Sequence, residues 1–494
     1  MTALLQDVEP QLVWQHFLEL TRIPRPSKQE QAARAYVLGW TEARGFESAV
    51  DEAGNLVVQV PASDGRETAP TVVLQSHLDM VCERDPSSPN DPREGRIEVV
   101  LENGWVAADG TTLGADDGIG VAAALAAAQD QHVTHGPLEL LFTVSEEQGL
   151  EGVKALDPAL VTGRLLVNLD GDEEGITVGC AGSVQTLVRR RFEHQVAQEP
   201  GLEVRLSGAR GGHSGGDIAS GRVNANKALG LVLASAIERV PFRVARLEGG
   251  VSRNAIPREA RAVVTLLDHD LDTFRAAALA EHEALREELG AVEPDLVLAV
   301  ESCDVRSTAG DEATAALVDL LVTIPTGVVA AAPDRPDVVE TSTSLNVVQT
   351  EGDIVTFASM TRSASAAALD EVAADIRRIA SDAGAEMELV RSYPPWEPDL
   401  EAHLLGVARR TWRRLFGSDP ELTTVHGGLE CAILGEKLPG IEMISIGPEI
   451  EGPHAPGERV SVVSTQTLYR LLGALLDDLS REQRVTLRGC PSYR

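Results

Sequence analysis

Apolar residues recur along this 494-residue chain in two rhythms, and the changes of rhythm mark out its parts. Positions 9–22 and 28–44 carry apolar side chains at three- and four-residue steps, which predicts two amphipathic helices. Between them, "RIPRPSKQE" sets Ser27 three residues before Glu30, the spacing of a capping box. Short apolar runs at 55–60, 71–76, 138–144 and 164–169 predict strands, with a helical run at 119–130 between the middle two. Strands alternating with helices predict an α/β layer around a mostly parallel central sheet.

After about residue 183 the rhythm shifts to polar–apolar alternation, as in "TLVRRRFEHQV" and "LEVRLSG", the pattern of half-exposed antiparallel strands. A helix is predicted at 221–239, followed by strands in "FRVARLEGG" and "EARAVVTLLD". A second round follows: "DLVLAVESC", a helix near 311–323, the long alternating run 338–362, and a helix at 364–383. The repeated order predicts an α+β domain with two similar halves. "RSYPPWEPD" breaks both rhythms and reads as a hinge. Beyond it, a helix at 400–416, a strand at 441–446 and a helix at 465–480 return to the first pattern. The expected architecture is a discontinuous α/β domain, 1–183 with 393–494, carrying an inserted α+β domain, 184–392.

Composition narrows the class. Hydrophobic residues make up 43% of the chain but aromatics only 3%, so Ala, Val and Leu must fill the core. A formal charge of −33 repels nucleic acid and anionic membrane surfaces, so neither is an expected partner. "MTALLQDVEPQLVW" has acids where a secretory signal needs a basic segment. The Ala-rich "GIGVAAALAAAQ" falls short of the roughly 20 apolar residues that span a bilayer. Five cysteines, at 82, 180, 303, 431 and 490, are scattered and odd in number. That excludes a disulfide framework and points to a reducing cytoplasm.

The candidate chemistry sits at strand ends. "VVLQSHLDMVCE" closes a strand with His77 and Asp79, which share a face because residues two apart in an extended chain project the same way. "GTTLGADDGIG" puts Asp116 and Asp117 in a Gly-rich turn opening a helix, "TVSEEQG" ends a strand in Glu146 and Glu147, and "VNLDGDEEG" ends another in Asp170. "IEMISIGPEIEGPHAPGE" runs a strand into a loop bearing His454. Taken singly, each piece has a plainer reading: the aspartate pair as a helix cap, the glutamate pair and "DGDEEG" as solvated turns. "GADDGIG" lacks dinucleotide-loop spacing, and "GARGGHSGG" lacks the Lys-Ser/Thr of a phosphate loop. Taken together, the pieces cluster carboxylates at the carboxyl edge of one sheet, where only a cation relieves their repulsion. Two imidazoles with several carboxylates and no thiolate suit zinc, manganese or cobalt.

These motifs, with "SEEQGLEG", "GCAG", "ARGGHSGGDI", "RVNA" and "SRNAIP" in the same order, resemble the aminoacyl-histidine dipeptidases, carnosinase-like members of the di-zinc peptidase and deacylase superfamily. The resemblance runs from about residue 10 to 480. It implies a soluble cytoplasmic hydrolase that cleaves unblocked dipeptides, Xaa-His among them, with two divalent metal ions, zinc foremost. His77, Asp116 and Asp170 are implied to hold one ion, with Asp116 bridging to a second held by Glu147 and His454. Asp117 leaves open which aspartate of the pair bridges, and position favours the first. Asp79 is implied to orient His77, and Glu146 to act as general base toward a metal-bridged hydroxide. His213 is implied to donate to the oxyanion, reaching the partner's site in a homodimer built through the inserted lid. Asn254, Arg362 and the backbone at Gly428 are implied to hold the substrate's terminal carboxylate, while His426 reads as local polar structure. Rival readings are a tripeptidase or N-acyl amino acid deacylase of the same superfamily, and a non-catalytic metal-binding scaffold.

Overall fold

The computed structural model describes residues 5, 7–332 and 335–482; Cys490 lies outside the described residues. The chain forms two compact units, residues 1–179 with 398–425 and 429–494, and residues 180–397 with 426–428.

The first unit is built on an eight-stranded sheet in the order Glu47–Val50, Leu56–Val60, Leu138–Thr143, Val72–His77, Leu165–Asn168, Glu442–Ser445, Ile176–Cys180, Leu422–Val425. The four central strands run parallel, register-paired as Val72 with both Leu138 and Leu165, and Glu442 with Leu165. Their side chains are buried on both faces, as a sheet covered by helices requires. Helix Ala115–Gln129 is buried from Gly118 to Ala128, and its alanine run lets it press against the sheet and helix Gln11–Leu20. The approach is close: a Cβ on Gly118 would lie 3.1 Å from the Phe17 ring.

The second unit is an antiparallel nine-stranded sheet. Four strands (Val297–Cys303, Gly201–Ser207, Ala260–Thr265, Arg243–Gly249) and four more (Arg335–Glu351, Ile354–Ser363, Gly182–Arg191, Glu386–Tyr393) join through the pairs Glu248–Gln349 and Gly249–Val348. Gly327–Ala332 adds to Arg335–Glu351. Helices Ala225–Ile237, Leu271–Leu289, Asp311–Thr323 and Ala366–Asp382 belong to this unit. The sequence pattern did not anticipate helix Leu271–Leu289. Its inner stripe, Phe274, Ala278, His282 and Leu285, has helical spacing but only two large apolar side chains. Among the described residues, no helix is long and apolar enough to cross a membrane.

Candidate metal centre

Parallel strands end together, so the residues just past them meet at one edge. Val72–His77 ends in His77; Leu138–Thr143 leads to Glu146 and Glu147; Leu165–Asn168 leads to Asp170; Glu442–Ser445 leads into the loop of His454. Asp116 arrives from the start of the alanine helix.

The side chains converge on two points that share one carboxylate. His77 Nε2 lies 3.0 Å from Asp116 Oδ1 and 3.4 Å from Asp170 Oδ1. On the other side, His454 Nε2 lies 3.1 Å from Asp116 Oδ2 and 3.0 Å from Glu147 Oε2. Each of the sets His77–Asp116–Asp170 and Asp116–Glu147–His454 brings its ligand atoms within 4.8 Å of one another, and His77, Glu146 and Glu147 do likewise. Glu147 Oε1 is buried without a hydrogen-bond partner, as is His77 Nδ1, which sits 3.5 Å from Asp79 Oδ1. Imidazole nitrogens facing carboxylate oxygens, with a buried carboxylate atom unsatisfied, fit divalent cations of the zinc, manganese or cobalt type.

The aspartate pair divides. Asp117 turns away: its Oδ2 accepts from the His77 N–H at 3.1 Å and its Oδ1 from the Gly120 N–H at 3.1 Å. The second bond is a helix cap, and helical dihedrals begin only after Asp117. Helix capping therefore describes Asp117, while Asp116 belongs to the cluster. The glycine at 120 is needed because a Cβ there would overlap Asp117 Oδ1 and lie 2.7 Å from Leu169 O.

Charge follows the geometry. Burial raises the Asp116 carboxyl, but hydrogen bonds from His454 and His77 outweigh it and hold it well below the usual carboxylate range. Burial, with the charges of Asp170, Glu147 and Glu430, pushes Glu146 well above that range. Asp170 is pushed up to about 8, chiefly by burial. Hydrogen bonds to Asp116 and Glu147 raise His454 to about 11. The metal-free cluster is thus short of positive charge.

Several supporting residues have roles that the sequence pattern did not signal. The capping box does not form: Ser27 Oγ instead donates to Asp79 Oδ2 at 2.8 Å. Glu30 Oε1 accepts from the Ser145 N–H and Oγ–H at 2.9 and 3.0 Å. Ser145 has φ 53° and His454 φ 64°, left-handed conformations that cost about 1–3 kcal/mol and concentrate at functional sites. Glu30 offsets that strain in the Ser145 turn, which delivers Glu146 and Glu147. Beneath the strand ends, Gln75 and Thr143 donate to Glu430 Oε2 at 2.5 and 2.6 Å, and Asn168 donates to Gln75 at 2.6 Å. Burial pushes Glu430 up to about 7.

The remaining predicted residues gather in the second unit. His213 and Asn254 lie on paired segments, with Gly212 opposite Ile256 and the Ser214 N–H donating to Asn254 O at 2.8 Å. The Gly216 N–H donates to His213 Nδ1 at 3.1 Å, which leaves Nε2 as the other nitrogen of the ring. That nitrogen lies 3.4 Å from Arg362 Nη2, and Arg362 Nη1 donates to Tyr393 Oη at 2.9 Å. Gly428 abuts the Tyr393 ring, where a Cβ would come within 2.7 Å. His426 bonds to Ser342 Oγ at 2.7 Å, and burial, reinforced by Arg362 and His213, lowers it to about 4.

Residues 73–478 match peptidase family M20/M25/M40, and the chain belongs to that family, whose chemistry is peptide-bond hydrolysis. Among individual proteins, it is 36% identical over 485 residues to the cytosol non-specific dipeptidase of Escherichia coli (strain K12), covering 96% of this chain and 99% of that one. The crystal structure of aminoacylhistidine dipeptidase from Vibrio alginolyticus superposes with a TM-score of 0.84 at 34% identity, over 96% of this chain and 98% of that one. Aminopeptidase PepT from Bacillus cereus shares the fold at a TM-score of 0.56 and 19% identity, over 96% and 100% of the two chains.

Proposed function

We propose that this chain is a metal-dependent dipeptidase that cleaves unblocked dipeptides, including those ending in histidine. The observation that carries the reading is the pair of ligand sets sharing Asp116. His77, Asp116 and Asp170 would hold one divalent ion; Asp116, Glu147 and His454 would hold the other, with zinc best suited to that donor set. Such ions, when bound, supply Lewis acidity and make water a competent nucleophile near neutral pH.

The chain's own groups do the rest. Glu146, raised by burial, takes a proton from water and returns one to the leaving amine, a role worth about 10²–10⁴ in rate. Asp79 faces His77 Nδ1 and keeps Nε2 directed at Asp116 and Asp170. The Nε2–H of His213 donates to the developing oxyanion. Arg362, oriented by Tyr393, presents its fork to the substrate's terminal carboxylate, with Asn254 and the Gly428 backbone beside it. On this reading residues 184–392 form a lid through which two copies associate, and the enzyme works in the cytoplasm, as the E. coli relative's name says of that protein.

The test is a metal-reconstituted assay over β-Ala-His, Gly-His, other dipeptides, a tripeptide and an N-acetylated amino acid, with light scattering for assembly. Dipeptide cleavage abolished by chelator is the expected result. Preference for the tripeptide or the acylated substrate would overturn the specificity. A metal-loaded protein inert to all of them would overturn catalysis.

A further inference from the structure

The turn that delivers Asp116 is held from two sides by buried opposite charges. Arg25, flanked by Pro24 and Pro26, is 1% exposed. Its Nη1 donates to the carbonyls of Leu78 and Asp79 at 3.1 and 2.7 Å, and its Nη2 donates to the carbonyl of Gly114 at 2.5 Å. One guanidinium therefore ties the loop after His77 to the turn before Asp116. Glycines make the room: a Cβ on Gly114 or Gly118 would come within 2.6 or 2.7 Å of Arg25 Nη2.

Glu458 takes the opposite polarity of the same turn. It is 2% exposed, and its Oε2 accepts from the N–H groups of Leu113 and Gly114 at 2.7 and 2.9 Å. Its Oε1 accepts from Ala115 and Asp116 at 2.7 and 3.3 Å. Four amides on one carboxylate form an anion nest, here filled by the protein itself. Glu458 also sits four residues after His454, so it links the His454 loop to the Asp116 turn. Its charge is the largest of those that favour the Arg25 guanidinium.

We infer that Arg25 and Glu458 are positioning residues that brace the Asp116 turn between the His77 and His454 segments and so set the spacing of the two ligand sets. A planar fork spanning three carbonyls cannot be copied by an ammonium, nor four-amide acceptance by a neutral amide. The inference rests on the two-ion reading above. It goes beyond that reading by placing the geometric control in residues that touch neither ion nor substrate.

The experiment loads full-length wild type, Glu458→Gln and Arg25→Lys with Co(II). It records stoichiometry, affinity and the visible d–d spectrum, then kcat and KM for a dipeptide at saturating metal. Both variants should show an altered spectrum and affinity weaker by about 10–100-fold, the range for residues that orient ligands. KM should stay within about twofold while kcat falls. Wild-type spectrum and affinity in folded Glu458→Gln would overturn the inference. Should that variant not fold, Arg25→Lys decides alone, and an unchanged spectrum there overturns it. If wild type itself binds no Co(II), the two-ion reading has failed; two ions in wild type and unchanged variants condemn only the brace.

Discussion

Replacing Asp79 with asparagine changes one atom, and the geometry says what that atom does. Asp79 is fully buried, with Oδ1 accepting from the Glu146 N–H at 3.0 Å and facing His77 Nδ1 at 3.5 Å. Oδ2 accepts from Ser27 Oγ at 2.8 Å and from the Glu147 N–H at 3.2 Å. If the new amide nitrogen takes the Oδ2 place, the Ser27 hydroxyl can rotate but the Glu147 N–H cannot, and one buried donor is stranded. If it takes the Oδ1 place, the Glu146 N–H is stranded and His77 Nδ1 meets a donor, which drives the imidazole proton to Nε2, toward Asp116 and Asp170. Either way one buried N–H loses its acceptor, worth about 1–3 kcal/mol of stability. Weakened support of His77 should cost about 10–100-fold in metal affinity. Urea unfolding of the metal-free protein reads the first quantity, and titration with Zn(II) against a competing chelator reads the second. A stability loss with wild-type metal affinity would show that Asp79 only fastens loops, and would refute its role in orienting His77.

Glu146→Gln should retain both ions by elemental analysis while kcat falls by about 10²–10⁴; loss of metal from this variant would contradict its assignment as base. Removing the ions with chelator should abolish turnover and lower the melting temperature. Restoring an ion to 100 times its Kd should add about 2.7 kcal/mol, and a melting temperature indifferent to Zn(II) would count against any site. Away from the cluster, burial lowers His16 from its ordinary 6.5 to about 4. Between those values the unfolded chain binds a proton that the folded chain refuses. Stability should therefore fall as pH drops from 6.5 toward 4, by up to about 3 kcal/mol, and His16→Gln should flatten that slope. Equal slopes in the two proteins would refute the attribution.

What the sequence reveals here is what periodicity and strand ends can carry. The strands at Val72–His77, Leu138–Thr143 and Leu165–Asn168 are mostly apolar, and such runs leading into His or acidic residues announce a sheet edge with chemistry on it. Helix Leu271–Leu289 went unseen because alanine and histidine share its buried face with Phe274 and Leu285. The small sheet containing Val99–Glu102 and Trp105–Ala108 was missed because strands of four residues show little alternation. Arg25 and Glu458 were illegible for a different reason. Their partners are backbone carbonyls and amides of distant segments, which every residue possesses and no pattern marks. Likewise nothing in "ADD" tells which aspartate caps the helix and which faces the imidazoles.

The buried carboxylates sort by what their oxygens touch, and the sorting predicts opposite effects of one chemical change. Asp79 is filled by two amides and a hydroxyl. Burial opposes its charge, but His77, Ser27 and the Glu146 amide prevail and hold its carboxyl below the ordinary value. Its ionised form therefore stabilises the fold. Asp170 meets an imidazole but, among the described residues, no amide bonds its carboxylate, and burial pushes it up to about 8. Its ionised form therefore strains the metal-free fold, and a cation is what would relieve it. Replacing each with its amide at neutral pH should separate the two kinds. Asp79→Asn lowers the melting temperature of the metal-free protein, whereas Asp170→Asn raises it, although both weaken metal binding. Such a trade of stability for function is the usual signature of a working site. If Asp170→Asn destabilises the metal-free chain as much as Asp79→Asn does, the cost assigned to burying the Asp170 charge is not there, and the case for cations at the sheet edge loses its physical cause.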